Sequence, residues 1–246
     1  MQERPLEGTV GKQSFSWHGP AATAGLFARL LDQLYGRSKW NVAAIAMSGG
    51  APAALAFASL YPAQTRALIL QAGVTQPFLD AKFMPEIPRG EYKLAFEKFG
   101  WTGDRVSQIL FALLLKLRAN FISDADVVKA LTGERLTDAR DDPAFKAVIA
   151  RMLHEDTTNS NGEWSDFRNT FFSKSPFCRW ESITAPTLII HDEKDAFVPV
   201  VHAEEAKARL RHATLRKFAL AGHIIWLGRE SRLMHEARAE FLQRHS

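Results

Sequence analysis

The stretch that most constrains this chain is Asn41–Pro52, NVAAIAMSGGAP. Val42 to Met47 form an uninterrupted apolar run, which predicts a strand buried on both faces, and Ser48-Gly49-Gly50 ends it abruptly. Ala51 to Leu60 is a run of small residues that predicts a helix packed close to that strand. Pro52 falls in its first turn, where a missing N–H costs nothing, and Tyr61-Pro62 ends it. A strand, a tight turn and a helix leave little room for Cβ atoms beside the tip of the turn. Ala46 and Gly50 stand two residues either side of Ser48, and Gly49 follows it directly. This is the small-x-Ser-x-small form of a nucleophile elbow, with alanine at the first small position.

Such a turn lifts the Ser48 hydroxyl clear of the sheet. It also directs the backbone N–H of Gly49 and the N-terminus of the following helix at any oxyanion formed beside it. A serine hydroxyl alone is a weak nucleophile, so the chemistry requires a base from elsewhere in the chain. The plainer alternative is a strand-to-helix turn in which Gly-Gly merely allows close packing.

At 246 residues the chain is long enough for one core with an insertion, or for two small domains. Residues 1–20 contain no strand-like run and are punctuated as loop by Pro5, Gly8, Gly11, Gly19 and Pro20. Ala21–Tyr35 places Leu26, Phe27, Leu30, Leu31 and Leu34 on one face at helical spacing, predicting an amphipathic helix with that face towards the core. Further strands are predicted at Ala67–Leu70, Thr187–Ile190 and, more weakly, Thr214–Leu220. Helices are predicted at Val201–Arg211 and at Arg229–Gln243, the latter turning Leu233, Ala237, Phe241 and Leu242 inward. Strands alternating with helices imply a mostly parallel, doubly wound α/β sheet.

The interval between the second and third of these strands has little strand character and needs a body of its own. Helical patterns at 91–99, 105–121, 125–131, 143–153 and 164–172 predict a helical cap over residues 75–183, inserted into a core made of 1–74 and 184–246. Its most apolar segment, Ile109–Leu115, reads as the cap's own core helix; a lid wall for an apolar acyl or alkyl group is the alternative. Asn159-Ser160-Asn161-Gly162 reads as a loop.

Ligands of open α/β sheets bind beyond the carboxyl ends of the strands, so residues there are the candidate partners of Ser48. The third strand is followed by His191-Asp192-Glu193-Lys194-Asp195 and then Val198-Pro199; the fourth is followed by Ala221-Gly222-His223. The order Ser, Asp, His suits a base, His223, that takes the Ser48 proton while an aspartate fixes its tautomer.

On these motifs the chain resembles the serine-nucleophile branch of the α/β-hydrolase fold superfamily, from about Arg4 to the C-terminus with a divergent cap between. Ile190–Pro199 is similar to that family's strand-end pattern, in which a histidine and glycine precede the acid and a Val-Pro follows. On that template Asp192 occupies the glycine position and Asp195 is the acid, with Asp192 the alternative. Ala221-Gly222-His223 resembles the segment that carries the family's histidine. The resemblance implies Ser48, Asp195 and His223 as catalytic residues and Gly49 as an oxyanion donor. Serine at the elbow argues against the branches that use aspartate there, the haloalkane dehalogenases and epoxide hydrolases.

One departure stands out: only a loop and a helix precede the elbow strand, where the family places four further strands. With them goes the loop that supplies the family's second oxyanion donor. His18-Gly19-Pro20 mimics that loop but reads as the turn that starts a helix. The core is therefore expected to be N-terminally incomplete, through truncation or a wrongly started reading frame, or else to have its edge covered by a partner chain. An uncovered apolar edge strand favours pairing of two copies.

The remaining composition narrows the function. A net charge of +4 with scattered basic residues gives no nucleic-acid-binding surface. A lone cysteine, Cys178, excludes an internal disulfide and fits a cytoplasmic protein. No stretch is long and apolar enough to span a membrane. No metal-ligand spacing, phosphate loop or nucleotide fingerprint is present, so cofactor independence is expected. The expectation is a hydrolase that cleaves an ester or related acyl bond of a small, apolar substrate through an acyl-enzyme. The alternative is a non-catalytic or impaired fragment that binds ligands or needs a partner for the missing strands.

Overall fold

Short aliphatic runs make up the sheet, in a computed structural model that describes residues 19–77, 176–195, 198–219, 222–226 and 231–245, together with residue 147. The strands β1 (Val42–Met47), β2 (Thr65–Gln71), β3 (Thr187–Asp192) and β4 (Ala213–Phe218) lie side by side in that order, and all are parallel. Four helices accompany them among the described residues: α1 (Pro20–Tyr35), α2 (Ala51–Leu60), α3 (Val201–Arg209) and α4 (Ser231–His245). No helix among the described residues is long and apolar enough to cross a membrane. Of the loop expected over residues 1–20, residues 1–18 lie outside the described residues, as do the predicted cap helices, except that Ala147, within the predicted 143–153 helix, is helical.

Alternation along the inner strands assigns the two layers. Ala67 and Ile69 of β2 and Leu188 and Ile190 of β3 pack with Met234 and Phe241 of α4. Leu68 and Leu70 of β2 and Ile189 of β3 face the other way, against Ala51, Leu55 and Ala58 of α2 and Ala203 and Ala206 of α3. Both faces of β2 and β3 are thus covered, as parallel strands with aliphatic side chains on both faces require. Leu233, predicted to point inward from the last helix, is instead 46% exposed, while Met234 beside it is fully buried.

Two expectations fail at β1, and for one reason. The strand is the edge of the described sheet, so the run read as buried on both faces is covered on one. Ala46 is buried with the α2 layer, whereas Ile45 and Met47, on the opposite face, are each 46% exposed. The predicted face of α1 fails likewise: Phe27, Leu30 and Leu34 are 54%, 49% and 63% exposed. The helix packs instead through its small residues, Ala24 and Ala28, onto Ala56 and Phe57 of α2, with Trp40 completing the cluster. Alanines permit a close approach that leucines would prevent, so packing selects a stripe that periodicity ranks second.

The connection from α1 to β1 is fixed by Asp32, which accepts hydrogen bonds from Ser38 N–H (2.9 Å) and Trp40 Nε1–H (2.7 Å). These two donors, Ser38 first, hold its carboxyl below the usual carboxylate range. Gly19 begins α1 at φ 103, a conformation suited to glycine, so Gly19-Pro20 is a helix start as expected.

After β2 the chain turns beneath the elbow, where Gly73 has no room for a side chain: a Cβ there would stand 2.8 Å from Ala51 Cβ. Gly49 and Gly50, expected to be the crowded positions, meet nothing within 4 Å among the described residues, because the edge of the sheet is open beside them. Thr75 then bonds to α3 twice, its N–H to His202 Nδ1 (3.2 Å) and its hydroxyl to His202 O (2.7 Å).

Gly73→Ala is expected to destabilise the fold by about 1–3 kcal/mol, since the new methyl meets the first turn of a helix rather than a flexible side chain; urea unfolding measures it. Acid sensitivity is the second expectation. Burial, foremost, pushes His202 down to about 3, and burial also lowers His191 against the pull of Asp195. Unfolded histidines titrate near 6.5, so below that pH the unfolded chain binds more protons than the folded one. Stability is full above about pH 6.5 and falls on acidification, by up to about 1.4 kcal/mol per pH unit for each such histidine. Denaturant midpoints measured between about pH 7.5 and 5 should show this slope, and His202→Gln should flatten it.

Candidate functional site

Ser48 closes β1 in the left-handed region, at φ 48, and opens a single 3₁₀ turn, Ser48–Gly50, that leads straight into α2. A non-glycine residue held there carries strain of roughly 1–3 kcal/mol. The surroundings hold it in place: Met47 is paired with Gln71 of β2, and Val74 N–H donates to Ser48 O at 3.1 Å. Gly49, directly after the serine, is exposed.

Asp195 lies three residues beyond the end of β3 and is 7% exposed. Its N–H donates to Asp192 O (3.2 Å), closing a turn, and its Oδ1 accepts the N–H of Val198 at 2.9 Å. His191 grips the same segment from below. Fully buried, it donates Nε2–H to Val198 O at 2.8 Å, and that nitrogen is 3.6 Å from Asp195 Oδ2. Because a carbonyl can only accept, the proton is on Nε2, and burial keeps the ring neutral.

His223 follows β4 on a turn whose Gly222 has φ 65. The next residues, Ile224 and Ile225, are 1% and 0% exposed and sit in the core between the sheet and α4. That anchor sets the height of the imidazole. His223 Nδ1 is 2.9 Å from Asp195 Oδ2, and His223 Nε2 is 2.9 Å from Ser48 Oγ. A carboxylate accepts the Nδ1 proton, leaving Nε2 to accept from the serine hydroxyl. The expected residues Ser48, His223 and Asp195 are therefore brought into one hydrogen-bonded line.

The other aspartate has a different engagement. Asp192, 1% exposed, accepts Lys194 N–H on Oδ1 (2.8 Å) and Gly222 N–H on Oδ2 (3.1 Å). The sequence reading left two carboxylates open, and it did not identify His191 as a support for the acid's turn. His191 stands within the motif that was read, but no spacing reveals that its ring reaches forward seven residues to a carbonyl.

Along the open edge of β1 runs an apolar groove of about 660 Å³, lined among others by Phe27, Leu30, Ile45, Met47 and Pro52 and reaching Gly49. Ser48, Asp195 and His223 do not line it, so it is a feature of the sheet edge more than of the hydrogen-bonded line.

Residues 21–229 of this chain match the sequence model of the alpha/beta hydrolase fold family. The chain is similar to the uncharacterized hydrolase YcgS of Bacillus subtilis (strain 168), 28% identical over 207 residues, which cover 83% of this chain and 68% of that protein. Among solved structures it is similar to a bromoperoxidase from Bacillus anthracis, with TM-score 0.64 and 20% identity, covering 95% of this chain and 78% of the other. It is also similar to a thermophilic esterase from Thermogutta terrifontis, with TM-score 0.61 and 17% identity, covering 93% and 74% respectively. This chain belongs to the α/β-hydrolase fold family.

Proposed function

We propose that this chain is a serine hydrolase that cleaves an ester or related acyl bond of a small, apolar substrate through an acyl-enzyme. The reading rests on one observation: the continuous line from Ser48 Oγ through His223 to Asp195 Oδ2, with both hydrogen bonds at 2.9 Å. Family membership and the similarity to an uncharacterized hydrolase and to an esterase support it.

The residues account for each proton. Ser48 Oγ attacks the acyl carbon while His223 Nε2 takes the hydroxyl proton, and Asp195 balances the imidazolium charge through Nδ1–H. The oxyanion that forms accepts a hydrogen bond from Gly49 N–H at the head of α2. As the bond to the leaving alkoxide breaks, Nε2–H returns the proton to it, and the alcohol departs. Water then attacks the acyl-serine with its proton going to Nε2; the carboxylic acid leaves and Ser48 recovers its hydrogen. In this role the strain at Ser48 holds the nucleophile at the tip of its turn before substrate arrives. The helical cap over 75–183 would wall the substrate site, and the lone Cys178 is in keeping with a cytoplasmic setting.

A second copy is the partner we propose for the open edge. A two-fold axis brings identical residues together, so a charged edge strand repels its own copy; β1 reads VAAIAM, with no charge, proline or glycine to prevent pairing. Antiparallel β1–β1 pairing would cover Ile45 and Met47 together with the apolar groove beside α1.

Labelling with a fluorophosphonate should modify the wild-type chain at Ser48. Ser48→Ala should abolish it, and His223→Ala should slow it by about a thousandfold or more; a folded wild type that does not react would overturn the serine-hydrolase reading. Sedimentation velocity should show a dimer that Ile45→Lys converts to monomer, whereas a monomeric wild type would remove the pairing.

A further inference from the structure

We propose that Asp192 is a positioning residue: its carboxylate spans the gap between the turn that carries Asp195 and the turn that carries His223, and sets the distance between them. The proposal rests on the serine-hydrolase reading above and adds a residue to it. The β3–β4 ladder reaches the pair Asp192–Phe218, with Glu193 N–H on Phe218 O at 3.0 Å. Beyond that level the two chains separate: Asp195 comes three residues after β3, and His223 five residues after β4. The Asp192 side chain reaches across the separation. Oδ1 holds the Lys194 N–H within its own turn at 2.8 Å, and Oδ2 holds the N–H of Gly222, the residue before His223, at 3.1 Å.

Three features make this more than a turn-capping contact. An aspartate that only caps its turn satisfies a nearby amide, as Asp192 does with Lys194; the Gly222 bond joins residues thirty apart in sequence. The carboxylate is 1% exposed, so each amide donor offsets part of the cost of burying it, and losing one removes that part of the offset. The main-chain oxygen of the same residue accepts Asp195 N–H at 3.2 Å. Asp192 therefore holds both the acid's backbone and the backbone from which His223 is suspended. Where the family's strand-end pattern has glycine, this chain has a side chain able to bridge the turns.

The test is the second-order rate of fluorophosphonate labelling. Asp192→Asn conserves volume but offers one acceptor oxygen and an NH₂ for two amide donors, so one of the two bonds is lost. We expect labelling to slow by about 10- to 100-fold in the folded variant, the scale of a misplacement near 1 Å. In an Asp195→Asn background the same substitution should change the rate little, because it acts through the pair already broken; a purely structural defect would multiply through unchanged. A wild-type labelling rate in Asp192→Asn, or the full effect retained in the Asp195→Asn background, overturns the proposal. If Asp192→Asn does not fold, Asp192→Ser replaces it, since a serine hydroxyl can serve Lys194 but not reach Gly222. Should the wild type fail to label, the serine-hydrolase reading falls, and proton NMR still decides the tie: the downfield His223 Nδ1–H signal should be lost to faster exchange in Asp192→Asn, and its persistence there sinks the proposal.

Discussion

Because all four strands run the same way, Met47, Gln71, Asp192 and Phe218 finish at one end of the sheet, and every turn that leaves a strand leaves from there. The parallel ladder is the constraint on which the site depends, yet it also creates a difficulty. Strands in a sheet stand about 4.8 Å apart, so β1 and β4, with two strands between them, end roughly 14 Å from each other. Ser48 and His223 nonetheless approach to 2.9 Å. The segment after β4 must therefore return across the top of β3 and β2, and it does so by burying Ile224 and Ile225 in the layer under α4. Hydrophobic burial directly after the histidine holds that return in place.

The outer side of β1 follows different physics. Two helices and a strand meet there through alanine, with Ala24, Ala28, Ala46 and Ala56 buried among them, while the larger side chains Phe27, Leu30, Ile45 and Met47 face outward. Small residues bring helices close, and bulkier ones stabilise only where something covers them. The two kinds of residue thus separate what is packed from what is exposed at this edge.

Much of this was readable in the sequence, for reasons that differ from residue to residue. The Ser48 turn was legible because a long apolar run, a serine and two glycines have few other uses together. The inner strands were legible because Leu-Ile-Leu and Leu-Ile-Ile, with breakers on either side, suit a sheet covered on both faces. The exposure of β1 was not, since an apolar run looks the same at an edge as in the middle, and a strand's neighbours are not written in its own residues. The face of α1 was misread because periodicity weights leucine above alanine, whereas distance of approach decides the packing. Asp192 and Asp195 could be ranked but not separated: two carboxylates three residues apart in one turn differ only in which way they point.

The backbone at Ser48 has a consequence for how this position can change. With φ at 48, the usual scale of conservative replacement is reordered. Threonine, the nearest chemical relative, is branched at Cβ and is disfavoured in left-handed backbone, whereas aspartate and asparagine enter that region several times more readily than other side chains. Moving from a hydroxyl to a carboxylate at the tip of the turn is therefore conformationally easier than adding one methyl group. Such a geometry confines evolutionary drift at this position to residues of different reactivity, so a viable change there alters the chemistry of the site before it alters its shape.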